Sequence, residues 1–143
     1  MIVYLDTSAF LKLYLEEEGS KATRQLVDAA VAVCTHVITY AEMCAAFAQA
    51  VRMQRLTDAE WTHQKDCFEA DWNALQVLFI DEPLVRRAGK LAEGFRLRGF
   101  DSVHLAAAER VWRQAPDNFQ LAAFDVRLVS AACTLGMTGL EQR

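Results

Sequence analysis

The chain has 143 residues, 53% of them hydrophobic and 24% charged, and a net charge of −4. That length fits one domain spanning 1–143, and the balance of apolar and charged residues excludes a disordered chain. The acidic charge argues against a broad nucleic-acid-binding face but leaves room for a local basic rim, and no stretch approaches the roughly 18 apolar residues of a membrane span.

No basic segment followed by an apolar run and a small-residue cleavage site opens the chain, so a cytoplasmic location is expected. Cys34, Cys44, Cys67 and Cys133 lie among apolar neighbours with no C-x-x-C pair. They read as reduced core cysteines rather than disulfides or zinc ligands.

Ile2–Leu5 is short, apolar and β-branched, the pattern of a strand buried on both faces, and it is expected at the centre of a parallel sheet. A helical pattern follows through Phe10, Leu11, Leu13, Tyr14 and Leu15, broken at Glu16–Ser20. Ala22–Ala32 carries a second apolar stripe, and Val31–Thr35 is a second strand. An alanine-rich helix runs from about His36 to Leu56. Thr57-x-x-Glu60 is a capping box that opens a helix through Trp61, Phe68, Trp72 and Leu75. Val77–Ile80 is the third strand, and Asp81-Glu82-Pro83 starts a helix that stops at Arg98-Gly99. Phe100-Asp101-Ser102 opens the next, Val103 to Trp112, and Pro116–Asn118 is a loop. Leu121–Phe124 is a fourth strand ending at Asp125. Val126–Leu135 is the last helix, closed by Gly136, with Met137–Leu140 as an edge strand. Alternating strands and helices predict an α/β fold, a three-layer α/β/α domain with a small, mostly parallel sheet.

The acids fall in a pattern. Asp6 follows the first strand and Asp125 the fourth; Glu42 and Asp101 stand in the opening turns of helices. In a parallel sheet these positions share one edge, so four residues far apart in sequence have a route to one place. Each also has a local explanation. Asp6, Asp101 and Asp125 are good N-caps, and Thr39-x-x-Glu42 has capping-box spacing. If they do meet, two carboxylates about 5 Å apart repel by roughly 3 kcal/mol at an effective dielectric near 20. Such a cluster needs raised pKa values or a cation, and an all-oxygen donor set suits Mg²⁺ or Mn²⁺.

Leu5-Asp6-Thr7-Ser8-Ala9 resembles the opening motif of PIN-domain ribonucleases, with VapC-type toxins of toxin–antitoxin pairs as the nearest likeness. Thr39-Tyr40-Ala41-Glu42, Asp101-Ser102-Val103-His104-Leu105-Ala106-Ala107-Ala108 and Phe124-Asp125-Val126-Arg127-Leu128 resemble the later motifs, in order along nearly the whole chain. The resemblance implies a metal-dependent endoribonuclease with Asp6, Glu42, Asp101 and Asp125 as its acidic site. By the same resemblance Asp6 and Asp101 are the main ligands for Mg²⁺ or Mn²⁺, with Glu42 and Asp125 completing the cluster, and Ser8 hydrogen-bonds within it. An RNA substrate, a homodimer and a cognate antitoxin covering the pocket are implied as well. Ala123 departs from the family, which often has Thr or Ser before the last acid; that removes a hydroxyl supporting Asp125. The resemblance also favours a start of the long helix nearer Thr35, which frees Glu42 to face the pocket.

Arg96 and Arg98, just before Asp101, are the candidates for phosphate contacts, and Lys12 lies on the first helix near the site. His104 reads as a packed or partner-facing histidine rather than a base. Trp61, Phe68 and Trp72 read as core or dimer surface. An alternative function is a PIN-like module that binds RNA or a protein without cleaving. A receiver domain would want a Lys after a late strand, and none follows Lys90. An Asp-nucleophile phosphatase would want an Asp where Ser8 stands.

Overall fold

In a computed structural model describing residues 1–140, four strands form one sheet in the order β3-β2-β1-β4, all parallel. They are β1 (Ile2–Leu5), β2 (Ala32–His36), β3 (Gln76–Leu78) and β4 (Phe119–Ala122). β1 pairs on both sides, Tyr4 with Cys34 and with Leu121, which makes it the interior strand expected.

Alternation along β1 builds two cores. Val3 and Leu5 point to a layer of α1 (Thr7–Leu11), α2 (Ser20–Ala29), α3 (Ile38–Arg52) and α4 (Asp58–Trp72). Its centre is Phe68, whose ring lies 5.5 Å from Phe10, 5.8 Å from Phe47 and 5.9 Å from Tyr14. Tyr4 points the other way, to α5 (Glu82–Phe95), α6 (Gly99–Trp112) and α7 (Val126–Leu135). Period-two side chains on a strand covered by helices on both faces give the three-layer architecture. Glu109, almost fully buried, fastens α5 to α6 by accepting two hydrogen bonds from Arg87, at 2.7 and 2.8 Å.

The edges of several elements differ from the sequence expectations. The first helix begins at Thr7, earlier than the apolar stripe, because Asp6 caps it through Ala9 N–H. β3 stops at Leu78, leaving Phe79 and Ile80 exposed. β4 spans Phe119–Ala122, so Asp125 stands beyond the strand end rather than at it. Met137–Leu140 makes only an isolated parallel bridge, Leu121 with Gly139. Cys34 is buried, but Cys133 is exposed and is not a core residue. Among the described residues no helix is long and apolar enough to cross a membrane.

Candidate active site

The strand order changes direction at β1: β2 and β3 lie on one side and β4 on the other. Open parallel sheets form their crevice at such a switch, beyond the carboxyl ends of the strands. Asp6 sits at the end of β1 on one side of it, and Phe124 and Asp125 leave β4 on the other. The ladder continues for one residue, with Asp6 N–H donating to the Ala122 carbonyl at 3.0 Å.

Asp6 is buried, with 4% of its surface exposed. Its Oδ1 accepts from Ala9 N–H at 2.8 Å and from the Ser8 hydroxyl at 2.7 Å; Oδ2 is 2.9 Å from the same hydroxyl. Ser8 Oγ in turn accepts from Phe124 N–H at 3.0 Å, tying the exits of β1 and β4 together. Burial pushes the Asp6 carboxyl above the usual aspartate range and the nearby charge of Asp101 adds to that, while His104 and the Ala9 and Ser8 hydrogen bonds offset it only in part.

Glu42 lies on the second turn of α3. The helix starts at Ile38 without a side-chain cap, later than Thr35. Glu42 is nevertheless free, for another reason: the Thr39 hydroxyl is 2.7 Å from that of Thr35, so no Thr39–Glu42 capping box forms. Glu42 Oε1 instead accepts from Thr7 Oγ1 and lies 2.7 Å from His104 Nε2, while Tyr4 OH is 2.8 Å from His104 Nδ1. Burial works to raise the Glu42 carboxyl, yet the hydrogen bonds from His104 and Thr7 and the charge of Arg98 hold it below the usual glutamate range.

Asp101 does not cap α6. Arg98 takes the cap position and Asp101 stands in the first turn, where Arg98 Nε donates to its Oδ2 at 2.8 Å. Asp125 caps α7 through Leu128 N–H at 3.0 Å, and Arg98 Nη2 lies 3.9 Å from its Oδ2. Ala123 is packed in the core, 1% exposed.

Capping and site formation are therefore not rivals. Asp6 and Asp125 are both N-caps, and the Ser8 bond to Phe124 N–H holds their two exits together. Glu42 Oε2 and Asp101 Oδ1 make no hydrogen bond among the described residues, and Asp125 Oδ2 makes none shorter than its 3.9 Å approach to Arg98. Glu42, Asp101 and Asp125 each commit one oxygen to a hydrogen bond and keep one open, whereas both oxygens of Asp6 lie against the Ser8 hydroxyl, at 2.7 and 2.9 Å.

Arg98 belongs to this site. Arg96 does not reach it: exposed and in the left-handed conformation at φ 56°, it closes α5 and makes no ion pair with the acids among the described residues. Lys12 pairs with Glu17 at 2.8 Å and lies over the Phe124 ring. His104 is packed, as expected, but it also holds Glu42, and Thr7 does the same. Sequence reading assigned neither that part, because the partners of His104 lie 62 and 100 positions away.

Among the described residues, no three His, Cys, Asp or Glu side chains stand close enough to hold one ion by themselves. The donor chemistry still fits Mg²⁺ or Mn²⁺, because such ions bind through one or two carboxylates and keep several waters. Arg98 now supplies the countercharge among the acids.

The PIN domain family model matches residues 3–132. Ribonuclease VapC45 of Mycobacterium tuberculosis (strain CDC 1551 / Oshkosh) is 35% identical over 135 residues, covering 94% of this chain and 92% of that protein. Two solved structures share the fold. FitAcB from Neisseria gonorrhoeae gives a TM-score of 0.70 at 17% identity, covering 97% of this chain and 96% of that one. A toxin–antitoxin complex from Klebsiella pneumoniae gives 0.63 at 17% identity, covering 90% of each chain. With the ordered acids at the switch of a parallel sheet, these likenesses establish that the chain belongs to the PIN-domain family, among the VapC-type ribonucleases.

Proposed function

We propose that this protein is a Mg²⁺- or Mn²⁺-dependent endoribonuclease that hydrolyses RNA phosphodiester bonds as the toxin of a toxin–antitoxin pair. The observation that carries the reading is that Glu42, Asp101 and Asp125 each hold one oxygen in a hydrogen bond and leave another without one, at the strand exits where the Asp6 carboxylate is buried. Asp6 and Asp101 would hold the ion, with Asp125 and Glu42 beside them. When bound, such an ion lowers the pKa of water and offsets charge developing on a phosphoryl group.

The chain's own groups have separate tasks. Ser8 and Ala9 N–H fix the Asp6 carboxylate, and the Ser8 bond to Phe124 N–H keeps both sides of the crevice in register. Glu42, held through Oε1 by Thr7 and His104, presents Oε2 to orient the attacking water and accept its proton. Arg98 has an exposed guanidinium that can leave Asp101 for a phosphate oxygen, whose geometry it matches. An antitoxin that covers this crevice and a homodimer complete the proposal, supported by the family and by the Klebsiella pneumoniae complex named above.

Asp6→Asn and Asp101→Asn, assayed for Mg²⁺-dependent cleavage of RNA, test it. Asn caps a helix about as well as Asp but ligates a cation poorly. Cleavage is expected to fall at least a hundredfold with the fold intact. Full cleavage by both variants would overturn the metal-site reading, and no cleavage by the wild type would favour the non-cleaving binding module.

A further inference from the structure

We propose that Phe100 is a stacking platform for an unpaired nucleobase and Arg127 a phosphate anchor, so that single-stranded RNA crosses Asp101 from one to the other. The inference rests on the nuclease reading above and adds the path and form of the substrate.

Two hollows meet at Arg98 and Asp101. One is bounded by Glu42, Gly99 and Phe100, the other by Phe124, Asp125 and Arg127. The acids thus lie between an aromatic ring and a cation. Phe100 is 57% exposed and Phe79 71%, whereas Phe10, Phe47 and Phe68 are buried; of the two exposed rings it is Phe100 that lines a hollow with Glu42 and Asp101. An aromatic ring left in water gives up the favourable burial that the other three obtain. It precedes Asp101 directly, in the first turn of α6, and Gly99 before it has no neighbour within 4 Å of an added Cβ, so the space around it is open. Arg127 is exposed on the first turn of α7 and makes no ion pair among the described residues, unlike Arg87, Arg98, Arg110 and Arg113.

A ring face beside a reacting phosphate is useful only to a base that has left its stack. RNA-binding proteins read single strands in this way, with bases splayed onto aromatic side chains. A duplex cannot offer that face. An unpaired arginine next along the crevice takes the neighbouring phosphate, which offsets the repulsion between the RNA backbone and the acids.

The test uses the full chain in Mg²⁺ and a fluorescein-labelled single-stranded RNA of randomised sequence, made hydrolysis-resistant by 2′-O-methyl and phosphorothioate groups. Binding is read by anisotropy for the wild type, Phe100→Ala, Phe100→Trp and Arg127→Gln. Phe100→Ala is expected to weaken binding about tenfold to a hundredfold and Phe100→Trp to restore it. Arg127→Gln is expected to reduce the slope of log affinity against log salt by about 0.7. A hairpin duplex of the same bases is expected to bind more weakly than the single strand. All three substitutions are at exposed positions and should leave the melting temperature unchanged. Equal affinity of wild type and Phe100→Ala would overturn the proposal, as would absence of binding by the wild type. So would a Phe100→Ala variant that changes only self-association in sedimentation. Binding as expected, in a protein that cleaves no unmodified RNA, would support this inference while sinking the nuclease reading.

Discussion

Tyr4 OH lies 2.8 Å from Nδ1 of His104, and that contact determines which histidine nitrogen faces Glu42. Tyr4 is fully buried and burial pushes its hydroxyl well above the ordinary range, so it keeps its proton. Its hydroxyl is directed at Nδ1, which accepts the phenolic proton in the tautomer that carries its ring proton on Nε2. In that tautomer Nε2 donates to Glu42 Oε1 at 2.7 Å, with Thr7 Oγ1 at 3.3 Å beside it. Tyr4→Phe is expected to cost about 1–3 kcal/mol in urea unfolding, because it strips a buried nitrogen of its partner. His104→Gln, which offers one acceptor and one donor, should keep more cleavage than His104→Leu. Equal activity in those two variants would show that holding Glu42 does not matter.

Adding Mg²⁺ should stabilise the native protein. Mass action on a native-only site amounts to about 2.7 kcal/mol at a hundred times Kd, and the shift should shrink sharply in Asp6→Asn. Differential scanning fluorimetry across a metal titration checks this. A flat melting temperature at concentrations of tens of millimolar would remove the basis for a metal site.

Gly19 is where the backbone needs the absence of a side chain. Its φ is 88°, and an added Cβ would fall 2.6 Å from a ring carbon of Phe124. Gly19→Ala is expected to lose about 1–2 kcal/mol from the left-handed conformation alone, with the clash in addition. Because Phe124 N–H holds Ser8, the displaced ring should also lower cleavage. Gly19→Asn relieves part of the backbone strain but none of the clash, so it should not recover wild-type activity.

Asp81 gives a stability term with a defined pH window. The Arg110 guanidinium at 2.6 Å, with Leu84 N–H, pulls its carboxyl down to about 2. A depressed folded-state value stabilises the protein above the ordinary aspartate range, near pH 4, and the gain disappears as pH falls through about 2. Asp81→Asn keeps the cap and removes the charge. Wild type should melt higher than the variant at pH 7, with the gap closing between about pH 4 and pH 2. A gap that persists below that window would mean that lost capping, not charge, explains the difference.

Much of the fold was legible along the chain because its signals are local. Ile2–Leu5 announces a buried strand by composition, Thr57-x-x-Glu60 forms the capping box it spells, and Asp81-Glu82-Pro83 starts a helix as such triplets do. Boundaries were less legible, since β3 ends before Phe79 and β4 before Ala123 for want of a partner strand to pair with, not for want of β propensity.

For the site, the sequence by itself determined the identity and order of Asp6, Glu42, Asp101 and Asp125 and the kind of element each one opens or ends. The tertiary structure decided everything that depends on which oxygen is already used. Thr35 draws Thr39 away from Glu42, His104 and Thr7 take one Glu42 oxygen, and Arg98 rather than Arg96 reaches the acids. These are contacts of a few ångströms between residues far apart in sequence, and hydrogen bonds act only at such range. No pattern along the chain encodes them until the sheet brings its strand ends together.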